Sequence, residues 1–182
     1  MICSTFLEEV AVRLRDLEQR SERVSRGLSE EQLNWRPSAD LWSIGQIYGH
    51  LNIANKAYFP AMEHAIEFGK FGKEVEVKHT LAGSMIIKFA GPGLNAPVPG
   101  SMTPPEGKST LEVATQFEKD MDRTIELAKR AEDMDLNKSK LKNPILPLLT
   151  LNLSDGFEIM TCHGERHIGQ IELMLRRADF PK

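Results

Sequence analysis

Apolar residues recur every three or four positions through four stretches of the chain, each bounded by polar residues, glycine or proline. From Ser4 to about Leu28 the apolar positions are Leu7, Val10, Leu14, Leu17, Val24 and Leu28, with charged residues between them. That period gathers the apolar side chains on one face of a helix. "LSEEQLNWRPSADLW" follows as a connector carrying at most a short helical turn. Ser43, with Gln46 three positions later, has the form of a capping box, in which each side chain satisfies the other residue's backbone N–H. It opens a second helix whose buried face is Ile44, Ile47, Leu51, Ala54, Tyr58 and Ala61, and which ends near Gly69. Ser109 and Glu112 repeat the capping pattern ahead of a third helix built on Leu111, Ala114, Phe117, Met121, Ile125 and Ala128. After a connector holding Pro144 and Pro147, Ser154 is placed to cap a fourth helix, with Phe157, Met160, Ile168, Ile171 and Met174 on its apolar face, ending before Pro181.

Residues 69–108 interrupt this pattern with five prolines between Pro92 and Pro105, although "TLAGSMIIKFA" can form one short helix. No segment alternates apolar and polar residues convincingly enough to predict a strand. The expectation is an all-α, single-domain four-helix bundle over residues 1–182. Short connectors favour antiparallel neighbours for helices one and two and for helices three and four. The crossover of roughly 40 residues between helices two and three returns the chain along the bundle, giving an up-down-down-up order.

A chain of 182 residues with 41% hydrophobic and 27% charged residues can bury one substantial core, and it is too short to make two domains the natural expectation. Its formal net charge of −3 offers no attraction for nucleic acid or an anionic membrane. The start "MICSTFLEEV" lacks a basic segment followed by an apolar one, and no apolar run reaches a bilayer-spanning length, so a cytoplasmic location is expected. Cys3 and Cys162 show no pairing pattern; Cys162 reads as a small buried apolar residue, although its place beside a candidate ligand makes a thiol ligand conceivable.

The candidate chemistry lies in "CHGERHIGQ", residues 162–170. His163 and His167 are four apart and therefore share one helix face, in series with Met160, Ile171 and Met174. His50 occupies the same kind of series on the second helix, with Ile47, Ala54 and Tyr58. Three imidazoles from two helices can converge inside a bundle, where one divalent ion would satisfy all three; a hydrogen-bonded core cluster of histidines is the competing reading. His64 falls about 21 Å further along the helix axis and cannot share the ion. His79 falls in the crossover, where a solvated loop position is expected. In H-E-x-x-H zinc proteases a carboxylate follows the first histidine, whereas Glu165 here sits about 200° around the helix from each histidine. Glu165 and Arg166 are thus expected on a solvated face, and a protease reading is rejected. Gln170, one turn beyond His167, is either a partner for a ligating group or a polar core residue. Gly45, Gly49, Gly164 and Gly169 either clear space beside the ligands or allow close helix packing. Three neutral imidazoles leave an ion its full charge and at least one open position, suited to activating either water or a thiol. Catalytic residues beyond the three ligands are not identified.

"RPSADLWSIGQIYGHL", with Trp42 and Ser43 opening the second helix and His50 seven residues after Ser43, followed far downstream by "HGERHIGQIELML", resembles the DinB/YfiT-like superfamily. The resemblance covers essentially the whole chain. It implies a four-helix bundle in which His50, His163 and His167 bind a divalent metal, zinc or nickel. It further implies homodimers and, among characterised relatives, transferases and isomerases that use low-molecular-weight thiols. The functional expectation is a metal-dependent enzyme that activates a small thiol or water, acting on a small-molecule substrate. The alternative is a non-catalytic, stress-linked bundle with a structural metal that serves as a binding or interaction module.

Overall fold

A computed structural model describes residues 1–93 and 98–182; residues 94–97 of the expected crossover, Pro97 included, lie outside the described residues. In chain order the elements are helix α1 (Cys3–Ser25), the short α2 (Glu30–Asn34), α3 (Ile44–Glu67), α4 (Leu81–Ala90), a 3-10 turn (Gly100–Met102), α5 (Glu112–Arg130), strands β1 (Lys140–Lys142) and β2 (Thr150–Asn152), and α6 (Leu153–Leu175). The protein is mostly helical, and among the described residues no helix is long and apolar enough to cross a membrane.

The predicted cap of α3 forms as read: Gln46 N–H donates to Ser43 Oγ at 3.2 Å and Ser43 N–H to Gln46 Oε1 at 3.1 Å. Two other expected caps do not form. α5 begins at Glu112, after Leu111 at the N-cap and without a side-chain cap, because the backbone of Ser109 is engaged by the side chain of Asn34, at 2.7 and 2.9 Å. That exchange ties the entry of α5 to α2. At α6 the box is set two residues earlier, by Asn152 and Asp155, with Asn152 N–H donating to Asp155 Oδ2 at 2.9 Å, while Ser154 Oγ is buried without a hydrogen-bond partner among the described residues.

A small antiparallel pair of strands replaces the expected plain connector, with Leu141 opposite Leu151 and both side chains buried. Three residues per strand are too few for alternation to show in sequence. Between them Asn143 Oδ1 accepts from the N–H groups of Ile145 and Leu146, both at 2.8 Å, which closes the turn through Pro144 and Pro147.

α1 packs against α5 and α6, and α3 packs against the same two helices. The expectation that sequential long helices lie side by side is therefore corrected: α1 faces α3, and α5 faces α6, across the core. The connectors are longer than a tight helical hairpin needs, since one contains α2 and the other the β1–β2 pair. Cross-helix pairs fix the senses. Arg13 reaches Glu158 and Glu165 while Arg20 reaches Glu172, so α1 and α6 run parallel. Asn52 donates to the carbonyl of Val113 and Arg123 to Glu63, so α3 and α5 also run parallel. Ser21 donates to Glu118 at 3.0 Å, and the charge of Asp122 acts on Glu18, so α1 and α5 are antiparallel. Buried apolar side chains from all four long helices and the strands form one cluster, with Leu14, Leu17, Tyr48, Met62, Phe117 and Phe157 wholly enclosed.

Candidate metal centre

His50 sits in the second turn of α3, and His163 and His167 sit one turn apart on α6. α3 and α6 pass each other in opposite directions: a Cβ at Gly156 would crowd Leu141 of β1 at 2.8 Å and meet Met62 of α3 at an ordinary 3.5 Å. Met62 on α3 therefore lies opposite Gly156, and twelve residues earlier His50 lies opposite the two histidines further along α6. His50 Nε2 stands 3.0 Å from His163 Nε2, and His167 Nε2 stands 3.1 Å from that same atom. His50 and His167 are each only 5% exposed.

The outer nitrogens decide which atoms face inward. His50 Nδ1–H donates to the carbonyl of Met102 at 2.7 Å, and His167 Nδ1–H donates to Gln170 Oε1 at 2.7 Å. A carbonyl oxygen only accepts, so each Nδ1 carries the proton and each Nε2 presents a lone pair to the centre. The face of Trp42 leans on the His50 ring at 4.9 Å between centroids and restricts its rotation. Burial lowers the proton affinity of all three imidazoles: His50 is below its ordinary value, His163 well below, and His167 falls to about 3. Neighbouring imidazoles and the Arg166 guanidinium act in the same direction on His163 and His167. The rings are therefore neutral at physiological pH, the state in which imidazole binds a metal.

The donor set fits a divalent ion. The ligand nitrogens all lie within 4.8 Å of one another, and a tetrahedral ion with Zn–N of about 2.0–2.1 Å places them roughly 3.3 Å apart, a few tenths beyond the two closest pairs. No carboxylate or thiol joins the three among the described residues. Cys162 is buried, with its Sγ near the carbonyls of Ile159 and Ile87, and burial pushes its pKa up to about 12; it behaves as the apolar residue expected.

His163 and the other two rings form the floor of a cavity of 230 Å³. Its walls are apolar: Ile86 and Phe89 from α4, Ile145 and Leu146 from the turn after β1, Ile159 from α6 and Met102 from the 3-10 turn. Tyr58 and Asn143 add polar groups, joined by a hydrogen bond from Asn143 Nδ2 to Tyr58 Oη at 3.3 Å. A larger hollow of 540 Å³ borders His167 on its other side, lined by Leu41, Trp42, Gln170, Leu173 and Arg177 among others. Arg166 lines both.

Several expectations for single residues change. Glu165 is not simply solvated, because it receives two hydrogen bonds from Arg13, at 2.7 and 2.8 Å, across the α1–α6 contact. Arg166 donates to the carbonyl of Phe89 at 2.9 Å and stands at the rim of the cavity. Helix phase alone cannot reveal this, because α4 closes over that side of α6 from a distant part of the chain. His79 lies in an exposed loop as expected, and in addition its Nδ1–H donates to the fully buried Asp155 at 2.8 Å, which also accepts from Thr80. His64 is exposed, stacks on Phe68 and stays apart from the cluster. Gly45 and Gly164 serve packing, since a Cβ would lie 2.5 Å from Ser109 Cβ at the first and 2.9 Å from Leu17 at the second. Met102 carries no signal in the sequence, while Ile86 and Phe89 fall in the short helix expected over "TLAGSMIIKFA", whose place against α6 the sequence does not give.

The sequence profile of the DinB superfamily matches residues 13–171. Comparisons with curated proteins and with solved structures give no match.

Proposed function

The chain belongs to the DinB superfamily, and from that premise we propose that it is a metal-dependent enzyme holding zinc or nickel on His50, His163 and His167. The observation that carries this reading is the convergence of three neutral Nε2 atoms on the floor of an apolar cavity. We read the four long helices as an up-down-down-up bundle; the parallel α1–α6 and α3–α5 pairings support that order. A divalent ion held by these residues would supply positive charge that lowers the pKa of a small thiol or water. The protein does the rest. Met102 and Gln170 hold the His50 and His167 rings in the ligating tautomer. The walls from α4 and the β1–β2 turn exclude solvent from an electrophile bound above them. Burial keeps the Tyr58 hydroxyl protonated far above neutral pH, so it can donate to an oxygen of that electrophile but not take its proton.

The test uses tag-free protein loaded with stoichiometric metal and incubated with several small thiols and electrophiles. Adduct or hydrolysis product well above a His163→Ala control is expected. If none forms, and chelation lowers thermal stability without any added ligand perturbing a cobalt-substituted spectrum, the non-catalytic structural-metal reading replaces this one.

A further inference from the structure

Among the described residues, Arg166 lines the cavity over the triad without an ion pair. On the same side of the molecule Arg13 holds Glu158 and Glu165, Arg20 holds Glu172 and Arg177 holds Asp179. Arg166 has no ion pair among the described residues; its single hydrogen bond, through Nη1, goes to the carbonyl of Phe89. It borders the cavity over the triad, the adjoining hollow and a further hollow lined by Glu165 and Glu172, two carboxylates already held by Arg13 and Arg20. Among the described residues, the cavity lining contains no aspartate or glutamate, and the acid in the hollow's lining is the exposed Asp40. A half-buried cation beside three neutral imidazoles is electrostatically incomplete, and a divalent ion on those imidazoles adds further positive charge. Desolvating such a site favours a ligand that brings negative charge.

We propose that Arg166 is a specificity residue that recognises the carboxylate of an otherwise apolar small molecule lying in the cavity over His50, His163 and His167. With Nη1 engaged by Phe89, the Nε and Nη2 edge remains, two parallel N–H donors that match one carboxylate. Ile86, Phe89, Ile145 and Leu146 take the apolar body. The inference rests on the reading of this cavity as the substrate site, but it concerns ligand binding and not turnover.

Isothermal titration of the full chain, both zinc-loaded and metal-free, with 4-phenylbutyrate and its neutral counterpart 4-phenylbutan-1-ol separates the two. The wild type is expected to bind the carboxylate at least tenfold more tightly than the alcohol in both forms. In Arg166→Gln the preference should shrink to about twofold, while Arg166→Lys, which keeps the charge but loses the fork, retains part of it. Circular dichroism melts of both variants report whether the fold is intact. A carboxylate preference that survives Arg166→Gln places the anion on the metal or elsewhere and overturns the proposal. Equal affinity for the two probes, or no binding of either by the wild type, overturns it as well. The metal-free titrations keep a failure here distinct from a failure of the enzyme reading, which shows in metal content and turnover.

Discussion

Replacing Gln170 by methionine removes the acceptor of the His167 Nδ1–H bond while keeping the side chain's length. His167 is 5% exposed and its Nδ1–H donates to the amide oxygen of Gln170 at 2.7 Å, an acceptor that a methionine side chain does not replace. Two responses are open to the ring. It can keep its tautomer with an unsatisfied buried donor, at a cost of about 1–3 kcal/mol, or move the proton to Nε2 and cease to be a ligand. Both penalise the metal-binding form by a similar amount. The expected outcome is zinc affinity lowered roughly 10- to 100-fold, about 1.4–2.8 kcal/mol, in line with what loss of such supporting hydrogen bonds costs metal sites. Competition against a chromophoric chelator at fixed pH measures it, with Gln170→Glu as the control that restores an acceptor. Affinity of Gln170→Met within about twofold of wild type would refute the claim that this bond orients the ligand.

His50→Ala, which removes the ligand supplied by α3, should abolish stoichiometric zinc in tag-free protein, as read by elemental analysis. Gly164→Ala should destabilise the fold by about 1–3 kcal/mol in urea denaturation, because the new Cβ would sit 2.9 Å from a Leu17 methyl in a filled core. Asp155 offers a pH test: burial alone would raise its pKa, but hydrogen bonds from His79, Asn152 and Thr80 outweigh that and hold it below the ordinary value. A folded pKa below the unfolded one means stabilisation that is full above about pH 4 and lost as pH falls through the folded value. Asp155→Asn should therefore lower stability at neutral pH by roughly 1–3 kcal/mol and flatten the acid limb of a stability–pH profile. Equal slopes for wild type and variant would contradict the role given to that carboxylate.

The four long helices are legible in the sequence because their burial repeats at the helical period, and the cap at Ser43 because its two hydrogen bonds are local. The caps expected at Ser109 and Ser154 fail for a common reason. Each serine has the right spacing, but at Ser109 the distant Asn34 competes for the backbone, and before α6 Asp155 satisfies Asn152 from inside the first turn. The strands are illegible at three residues each, and the partner helices of α1 cannot be read from connectors because loop length constrains reach and not direction. Helical geometry correctly turns Glu165 away from the triad, yet what it turns towards, Arg13 on α1, depends on which helix packs there.

That His163 and His167 share a face, with Gln170 one turn beyond, follows from the order of residues alone, because an α-helix fixes those relations within a few positions. That His50 completes the set does not, since it depends on how α3 slides along α6, a register held by contacts such as Met62 against Gly156. The place of Arg166 is likewise a matter of packing. Helix phase points that side chain away from the core, and only the closure of α4 over α6 turns an exposed cation into the rim of a cavity.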